Sequence, residues 1–301
     1  MAEATRLVNR SDFNQTSSEF VEWFTTAHGT RLNPKVQLKD LRDQNAGRGA
    51  GMPHWLCVNP STHCRSLVAK ETIAEDEELF AIPRSLVLTT TTSSIPPEAL
   101  ELLKDTGAWL PLIVTIIYEF LRKEKSPWHS YFQVLPTTFE SLMFWNTTEL
   151  AELQASAVVD KIGKRAAEES WKETIIPQML ARPDLYPVTG GPTNSTAELI
   201  KLAHMAGSLI MAYAFDIDRD DEKSKTIEDS DSDEDFEEDD EDELLKGMVP
   251  FADMLNADAD RNNVCYFEGS FGQRADHTLA GTPLPRTRLS RHEGHQTNIS
   301  R

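Results

Sequence analysis

Residues 249–263 have the sequence VPFADMLNADADRNN, in which an apolar start gives way at Asn256 to a polar run. The apolar residues 248–251 predict a strand, and the residues VCYF at 264–267 predict another. Asn256 follows an apolar approach, and a buried asparagine needs several hydrogen-bond partners. This asparagine therefore either supports the fold or fixes a ligand, and its neighbours in the sequence leave both alternatives open.

An acidic segment precedes this stretch. Residues 216–243 contain 18 acidic and three basic residues, a net charge of −15, whereas the whole chain carries −19. With Phe236 as its only aromatic residue, the segment cannot bury enough surface to offset the entropy lost on ordering. The composition therefore predicts a disordered surface loop, which is either a solvated insertion without function or an attractor for Lys/Arg-rich partners.

The composition of the whole chain limits the classes of function. Of its 301 residues 39% are hydrophobic, which excludes disorder along the full length, and the negative charge argues against non-specific nucleic-acid binding. The three cysteines favour a reducing compartment. The N-terminus has no apolar signal core, and the longest apolar run, 109–118, is about half of a membrane span. We expect a soluble intracellular protein without direct contact to nucleic acid or to a membrane.

The order of patterns along the chain predicts an α+β fold. Strand-like stretches at 79–82 and 86–88 come before a region of helical periodicity at 110–121, 150–162 and 199–215, and strand-like text returns at 248. The two strand regions are therefore expected to form one sheet that an insertion splits. The predicted parts are an N-terminal helix (1–30), a first strand part (31–96) with an insertion at 51–66, a helical insert (97–215), the acidic loop (216–247), a second strand part (248–270) and a disordered tail (271–301).

Three further motifs stand out. The first is NAGRG at 45–49, which is either an ordinary turn or a loop whose backbone approaches a ligand closely, because glycine has no Cβ. The second group is WLPL at 109–112 with SPWHSY at 126–131, and the third is MAYAF at 211–215. Cys57, His63 and Cys64 lie near one another in the sequence, but their spacing fits no standard zinc pattern, so no metal is predicted.

Together with 249–263, these motifs resemble the SET-domain protein lysine methyltransferases of the Rubisco large-subunit methyltransferase type. Within that family the similarity is greatest to the fungal ribosomal lysine methyltransferases and their animal relatives. It covers roughly residues 17–270, apart from 51–66 and the acidic segment. The resemblance implies a small β-rich SET domain split by a helical insert.

The resemblance also implies a cofactor and a set of site residues. The cofactor is S-adenosylmethionine, and the methyl acceptor is a lysine side chain of a protein. The residues expected to bind the cofactor are Ala46, Gly47, Arg48, Gly49, Tyr213, Asn256 and Ala257. The residues expected to contact the substrate lysine are Trp109, Phe215 and Asp216. The implied partner is a basic protein, with a ribosomal protein favoured, and the implied protein is a monomer in the nucleus or the cytoplasm, with the nucleus favoured.

One departure from the family pattern lies beyond residue 270. Relatives continue there with a strand and a segment that carries the catalytic tyrosine, whereas the last tyrosine of this chain is Tyr266. The resemblance therefore predicts a truncated chain with no catalytic residue of its own, which transfers methyl groups poorly or not at all. The alternative is a non-catalytic protein that binds basic partners through the acidic segment.

Overall fold

The computed structural model describes residues 10–40, 65–101, 103–104, 106–139, 141–153, 156–186, 195–218, 244–255 and 264. The motif at 45–49, the group Cys57, His63 and Cys64, most of the acidic segment and the tail therefore lie outside the described residues.

The strands pair in three antiparallel two-stranded ladders. Strand β1 (Arg31–Leu32) pairs with β4 (Phe80–Ala81), β2 (Val36–Asp40) with β3 (Arg65–Ala69), and β5 (Ala214–Asp218) with β6 (Leu244–Met248). An antiparallel bridge joins Leu88 to Met248, in which each backbone N–H donates to the other residue's carbonyl, at 3.0 and 2.9 Å. The strands before and after the helical insert thus meet at this bridge, but the ladders of the described residues are three separate two-stranded sheets and not the single split sheet that was expected. The loop expected at 216–247 is wrong at both of its ends, because residues 216–218 belong to β5 and residues 244–247 to β6. The predicted α+β class is confirmed.

The helices fall before and within the insert. Helix α1 comes first, and eight more described helices lie between the first and last strand pairs. They are α1 (Arg10–Thr26), α2 (Pro97–Glu101), α3 (Trp109–Leu121), α4 (His129–Phe132), α5 (Thr147–Ala151), α6 (Val158–Lys161), α7 (Lys164–Glu173), α8 (Ile175–Ala181) and α9 (Thr196–Tyr213). In the part of the chain that the structure describes, no helix is both long and apolar enough to cross a membrane.

Two predicted strands differ from the structure because of prolines. Residues 86–88 were expected to form a strand, but a 3₁₀ turn at Arg84–Leu86 follows Pro83, and only the bridge at Leu88 is strand-like. Residues 249–251 were expected to extend a strand, but β6 ends at Met248. Pro250 has no N–H to donate to a ladder, and the chain then turns at Phe251 with a φ of 68°.

The core forms where α3 and α9 pack against each other, and α1 packs against the short helix α4. Leu112, Ile116 and Leu199 are completely buried between these helices. Aromatic rings continue this core, because Phe20 stacks on Tyr131 at 5.9 Å and on Phe251 at 4.8 Å between ring centroids. The β5–β6 hairpin lies against the same helices, since both of its strands contact α9 and β6 also contacts α3.

Candidate functional site

The β5–β6 hairpin and the start of α3 carry the three residues expected to contact the substrate lysine. Trp109 is the first residue of α3, and Phe215 and Asp216 are neighbours on β5. Successive side chains of a strand point to opposite faces. Phe215 accordingly packs under the hairpin, whereas Asp216 lies on the other face beside its cross-strand partner Lys246.

Lys246 connects Asp216 to Trp109. Its Nζ donates to Oδ1 of Asp216 at 2.6 Å and lies 5.5 Å from the centroid of the Trp109 ring. The side chains of Lys246 and Asp216 are only 14% and 16% exposed, whereas Trp109 remains 37% exposed. Both an indole face and a carboxylate attract an ammonium group electrostatically, and here they hold the ammonium of Lys246.

The hairpin is held in place from below. Phe215 and Ile217 pack with Val87, Val249 and Ala252 in a small apolar cluster. Gly247 lies so close to this cluster that a Cβ on it would be 2.5 Å from Cδ1 of Ile217. A larger residue at this position would displace the neighbouring side chains. Gly247 therefore allows β6 to lie close to the cluster, and this sets the position of the adjacent Lys246.

Tyr213, expected at the cofactor or the lysine, is the last residue of α9 and is half-buried. It lies near Tyr131, whose hydroxyl donates to Oδ2 of Asp253 at 2.6 Å. The pKa of Tyr131 is raised well above its usual value, first by burial, then by the charge of Asp253 and their hydrogen bond, and last by Tyr213. Tyr131 therefore stays neutral and acts as a hydrogen-bond donor.

Asp253 belongs to a 3₁₀ turn, Ala252–Met254, that leads directly towards Asn256. The Tyr131 hydroxyl thus anchors the described part, 249–255, of the motif at 249–263. Asn256 and Ala257 themselves lie outside the described residues, as do Ala46, Gly47, Arg48 and Gly49. Their assignment to the cofactor stays a prediction.

Sequence reasoning missed three residues of this region: Lys246, Tyr131 and Asp253. Lys246 is separated from Asp216 by 30 positions, and only the register of the hairpin makes them partners. Asp253 was within the quoted motif, but nothing in the sequence pairs it with Tyr131. Among the described residues, there is no group of three or more His, Cys, Asp and Glu side chains that could hold a metal ion.

Comparison with known proteins supplies sequence relatives. The chain matches no protein-family model. It is 34% identical over 263 residues to ribosomal lysine N-methyltransferase 4 of Saccharomyces cerevisiae, a match that covers 84% of this chain and 47% of the yeast protein. It is 30% identical over 205 residues to N-lysine methyltransferase SETD6 of Rattus norvegicus, covering 65% of this chain and 37% of the rat protein. The chain thus spans less than half the length of these relatives.

Solved structures supply the fold. The SET domain of LSMT bound to lysine and AdoHcy superposes with a TM-score of 0.53 at 19% identity, over 82% of this chain and 45% of that chain. Rubisco LSMT bound to AdoMet gives a TM-score of 0.51 at 18% identity, over 83% of this chain and 47% of that chain. The predicted resemblance is confirmed: over less than half of their length this chain is homologous to these two lysine N-methyltransferases, and it has the fold of the SET domain of Rubisco LSMT.

Proposed function

We propose that this chain is the SET part of a protein-lysine N-methyltransferase that moves a methyl group from S-adenosylmethionine to a lysine side chain, with a ribosomal protein as substrate. The observation that carries the proposal is the 34% identity over 263 residues to a yeast enzyme named for ribosomal lysine methylation. The SET-domain neighbours with AdoMet or AdoHcy bound support the choice of methyl donor.

The proposed cofactor contacts come from two separated stretches. Backbone groups at 46–49 and the side chain of Asn256, with the backbone of Ala257, would hold S-adenosylmethionine, and Tyr213 would border it. The hydrogen bond from Tyr131 to Asp253 holds the last described turn before the second stretch, three residues ahead of Asn256. S-adenosylmethionine supplies an electrophilic methyl group on a sulfonium, so these residues serve to hold and orient it.

The proposed lysine entry uses the cation-attracting face of the hairpin. A lysine side chain arrives protonated, because its usual pKa is about 10.4. Asp216 and the ring of Trp109 suit this charged form. The amine must then lose its proton before its nitrogen can form a bond to the methyl carbon as the carbon–sulfur bond breaks. Apolar surroundings favour that loss, since burial disfavours a charged ammonium.

Titration calorimetry of the 301-residue chain with S-adenosylmethionine and with S-adenosylhomocysteine tests the proposal without requiring turnover. We expect both to bind, and Asn256→Ala to weaken binding by about tenfold or more, equivalent to about 1.4 kcal/mol. Asn14→Ala, on the exposed face of α1, is the matched control and should bind normally. A folded chain that gives no heat with either compound would contradict the proposal.

A second candidate is a non-catalytic protein that binds basic partners. It is supported by the net charge of −15 on residues 216–243, which attracts cationic proteins at long range. Deleting residues 223–243 separates the two candidates. If all binding to basic proteins disappears while S-adenosylmethionine binding is unchanged, the second candidate is favoured.

We further propose that the protein acts as a monomer, without direct nucleic-acid contact, in the nucleus or the cytoplasm with the nucleus favoured. Light scattering coupled to size exclusion tests the monomer, and fluorescence microscopy of a tagged chain tests the location. A dimer at micromolar concentration, or a tagged chain confined to another compartment, would contradict this part of the proposal.

A further inference from the structure

The contact between Lys246, Asp216 and Trp109 joins a lysine of the chain to two residues that were expected to receive a lysine from a substrate. The ammonium of Lys246 is 2.6 Å from the Asp216 carboxylate and 5.5 Å from the centre of the Trp109 ring. Both are distances at which a lysine is held by a carboxylate and an aromatic face.

The backbone under Lys246 is held in place on three sides, and its side chain is 14% exposed. Lys246 pairs in register with Asp216, Gly247 is wedged against Ile217, and Met248 is bridged to Leu88. A lysine head group sits at the end of four methylene groups and can leave its partners while the strand stays in place. Trp109 is partly exposed, so a cation from solvent can reach its ring when Lys246 moves away.

We propose that Lys246 is an internal occupant of the cation site formed by Trp109 and Asp216, and that a basic side chain of a partner protein must displace it to bind there. Lys246 thereby determines specificity: a lone lysine competes poorly against an ammonium that is already tethered, whereas a partner with several basic residues competes well. This inference rests on the proposed function, because Trp109 and Asp216 matter for substrate entry only if a protein lysine is the acceptor.

The sequence around the hairpin supports such an exchange. The connection between β5 and β6, residues 219–243, contains 16 acidic and three basic residues. A connection of this charge raises the local concentration of Lys/Arg-rich partners next to the strands that carry Asp216 and Lys246. A multiply basic partner therefore meets the site at high effective concentration, where it can compete with Lys246.

The alternative is that the ion pair between Lys246 and Asp216 only stabilises the hairpin. Under that alternative, removing the charge of Lys246 weakens the fold and creates no new binding. Under the proposal, Lys246→Met keeps the aliphatic stem, vacates the ammonium position and leaves an indole face and a carboxylate ready for an external cation.

The probe for the experiment is Nα-acetyl-L-lysine amide, and the readout is the NMR signal of the Trp109 indole N–H, assigned by its loss in Trp109→Phe. We expect the probe to shift this signal in Lys246→Met with a Kd at least tenfold lower than in the unchanged chain.

Lys246→Arg should behave as the unchanged chain, since arginine also fills the site. Adding Asp216→Asn to Lys246→Met should abolish the gain. Lys201→Met, which removes a lysine from an exposed pair with Glu198, is the matched control and should show no gain.

Equal Kd values for the unchanged chain and a folded Lys246→Met would overturn the proposal, as would the absence of any shift in both. If Lys246→Met does not fold by circular dichroism, Lys246→Gln takes its place with the same expectations. Calorimetry with S-adenosylmethionine on the same samples distinguishes the two proposals. If the probe binds more tightly to Lys246→Met but S-adenosylmethionine does not bind, the proposed function alone is contradicted. If S-adenosylmethionine binds but the probe binds both chains equally, this inference alone is contradicted.

Discussion

The hydroxyl of Tyr131 donates a hydrogen bond of 2.6 Å to Oδ2 of Asp253, and so ties the helical insert to the chain 122 residues later. Both residues are buried, and Asp253 lies in the turn that leads to Asn256. A buried phenol beside a buried carboxylate gives a charge-assisted hydrogen bond, which is stronger than one between neutral groups. This contact therefore holds the start of the proposed cofactor motif against the helices.

Tyr131→Phe is expected to lower the free energy of unfolding by about 1.5–3 kcal/mol, because it removes a donor from a buried carboxylate and leaves the ring packing intact. Urea denaturation followed by circular dichroism measures the change. Tyr118→Phe is the control, since the Tyr118 hydroxyl makes only an exposed bond of 3.3 Å to the carbonyl of Ser94. Equal stability of Tyr131→Phe and the unchanged chain would contradict the role given to this bond.

Gly247→Ala is expected to destabilise the protein by about 1–3 kcal/mol through overpacking. Its Cβ would lie 2.5 Å from Cδ1 of Ile217 and 2.8 Å from Cγ2 of Thr89. Gly207→Ala is the matched control, because a Cβ there meets only Cδ1 of Ile113 at an ordinary 3.8 Å in the middle of α9. This second variant should be more stable than the unchanged chain, by up to about 1 kcal/mol. Thermal unfolding of both variants checks the opposite signs.

Phe251 combines a buried ring with a backbone conformation that suits glycine. Its φ is 68°, and its ring contacts those of Phe20 and Phe24 at 4.8 and 4.3 Å between centroids. We expect Phe251→Ala to cost about 3–5 kcal/mol. Phe251→Gly should be less destabilised than the alanine variant, by about 1 kcal/mol, because glycine adopts a positive φ without strain. Chemical denaturation of the pair tests the order, and a less stable glycine variant would refute the strain.

The lowered pKa of Glu77 predicts how the stability of the protein depends on pH. Its pKa is lowered from 4.5 to about 2, first by the hydrogen bond from Lys35, then by those from the backbone N–H of Ala74 and the side chain of Asn33. The folded pKa lies below the unfolded one, so this contribution is fully present above about pH 4.5 and is lost as the pH falls towards 2.

The measurement for Glu77 is the midpoint of urea unfolding between pH 6 and pH 2.5. Glu77→Gln should lower the midpoint at pH 6. As the solution is acidified, the midpoint of this variant should fall less than that of the unchanged chain. Glu75→Gln, at an exposed position two residues earlier, is the control and should follow the unchanged chain. Parallel acid profiles for Glu77→Gln and the unchanged chain would show that the hydrogen bonds to Glu77 do not carry the expected pH dependence.

The helices that form the core could be predicted from the sequence because their signal is local. Apolar periodicity predicted helices at 110–121 and 199–215, and the structure has them at Trp109–Leu121 and Thr196–Tyr213. Ser195 starts the second one by accepting a hydrogen bond from the backbone N–H of Glu198. The helix expected at 150–162 is instead two short helices with a break between them. In this stretch apolar periodicity alone does not distinguish one long helix from two short ones.

Composition, periodicity and contiguous motifs were enough to predict the α+β class, the two core helices, the family resemblance and the acidic charge of residues 216–243. The contacts of Lys246 with Asp216 and Trp109, and of Tyr131 with Asp253, arise only when the chain is folded. These partners lie 30 to 137 positions apart, and slipping the hairpin by one residue would turn Lys246 to the other face. Contacts of this kind depend on strand register and on the packing of distant helices, which no local pattern encodes.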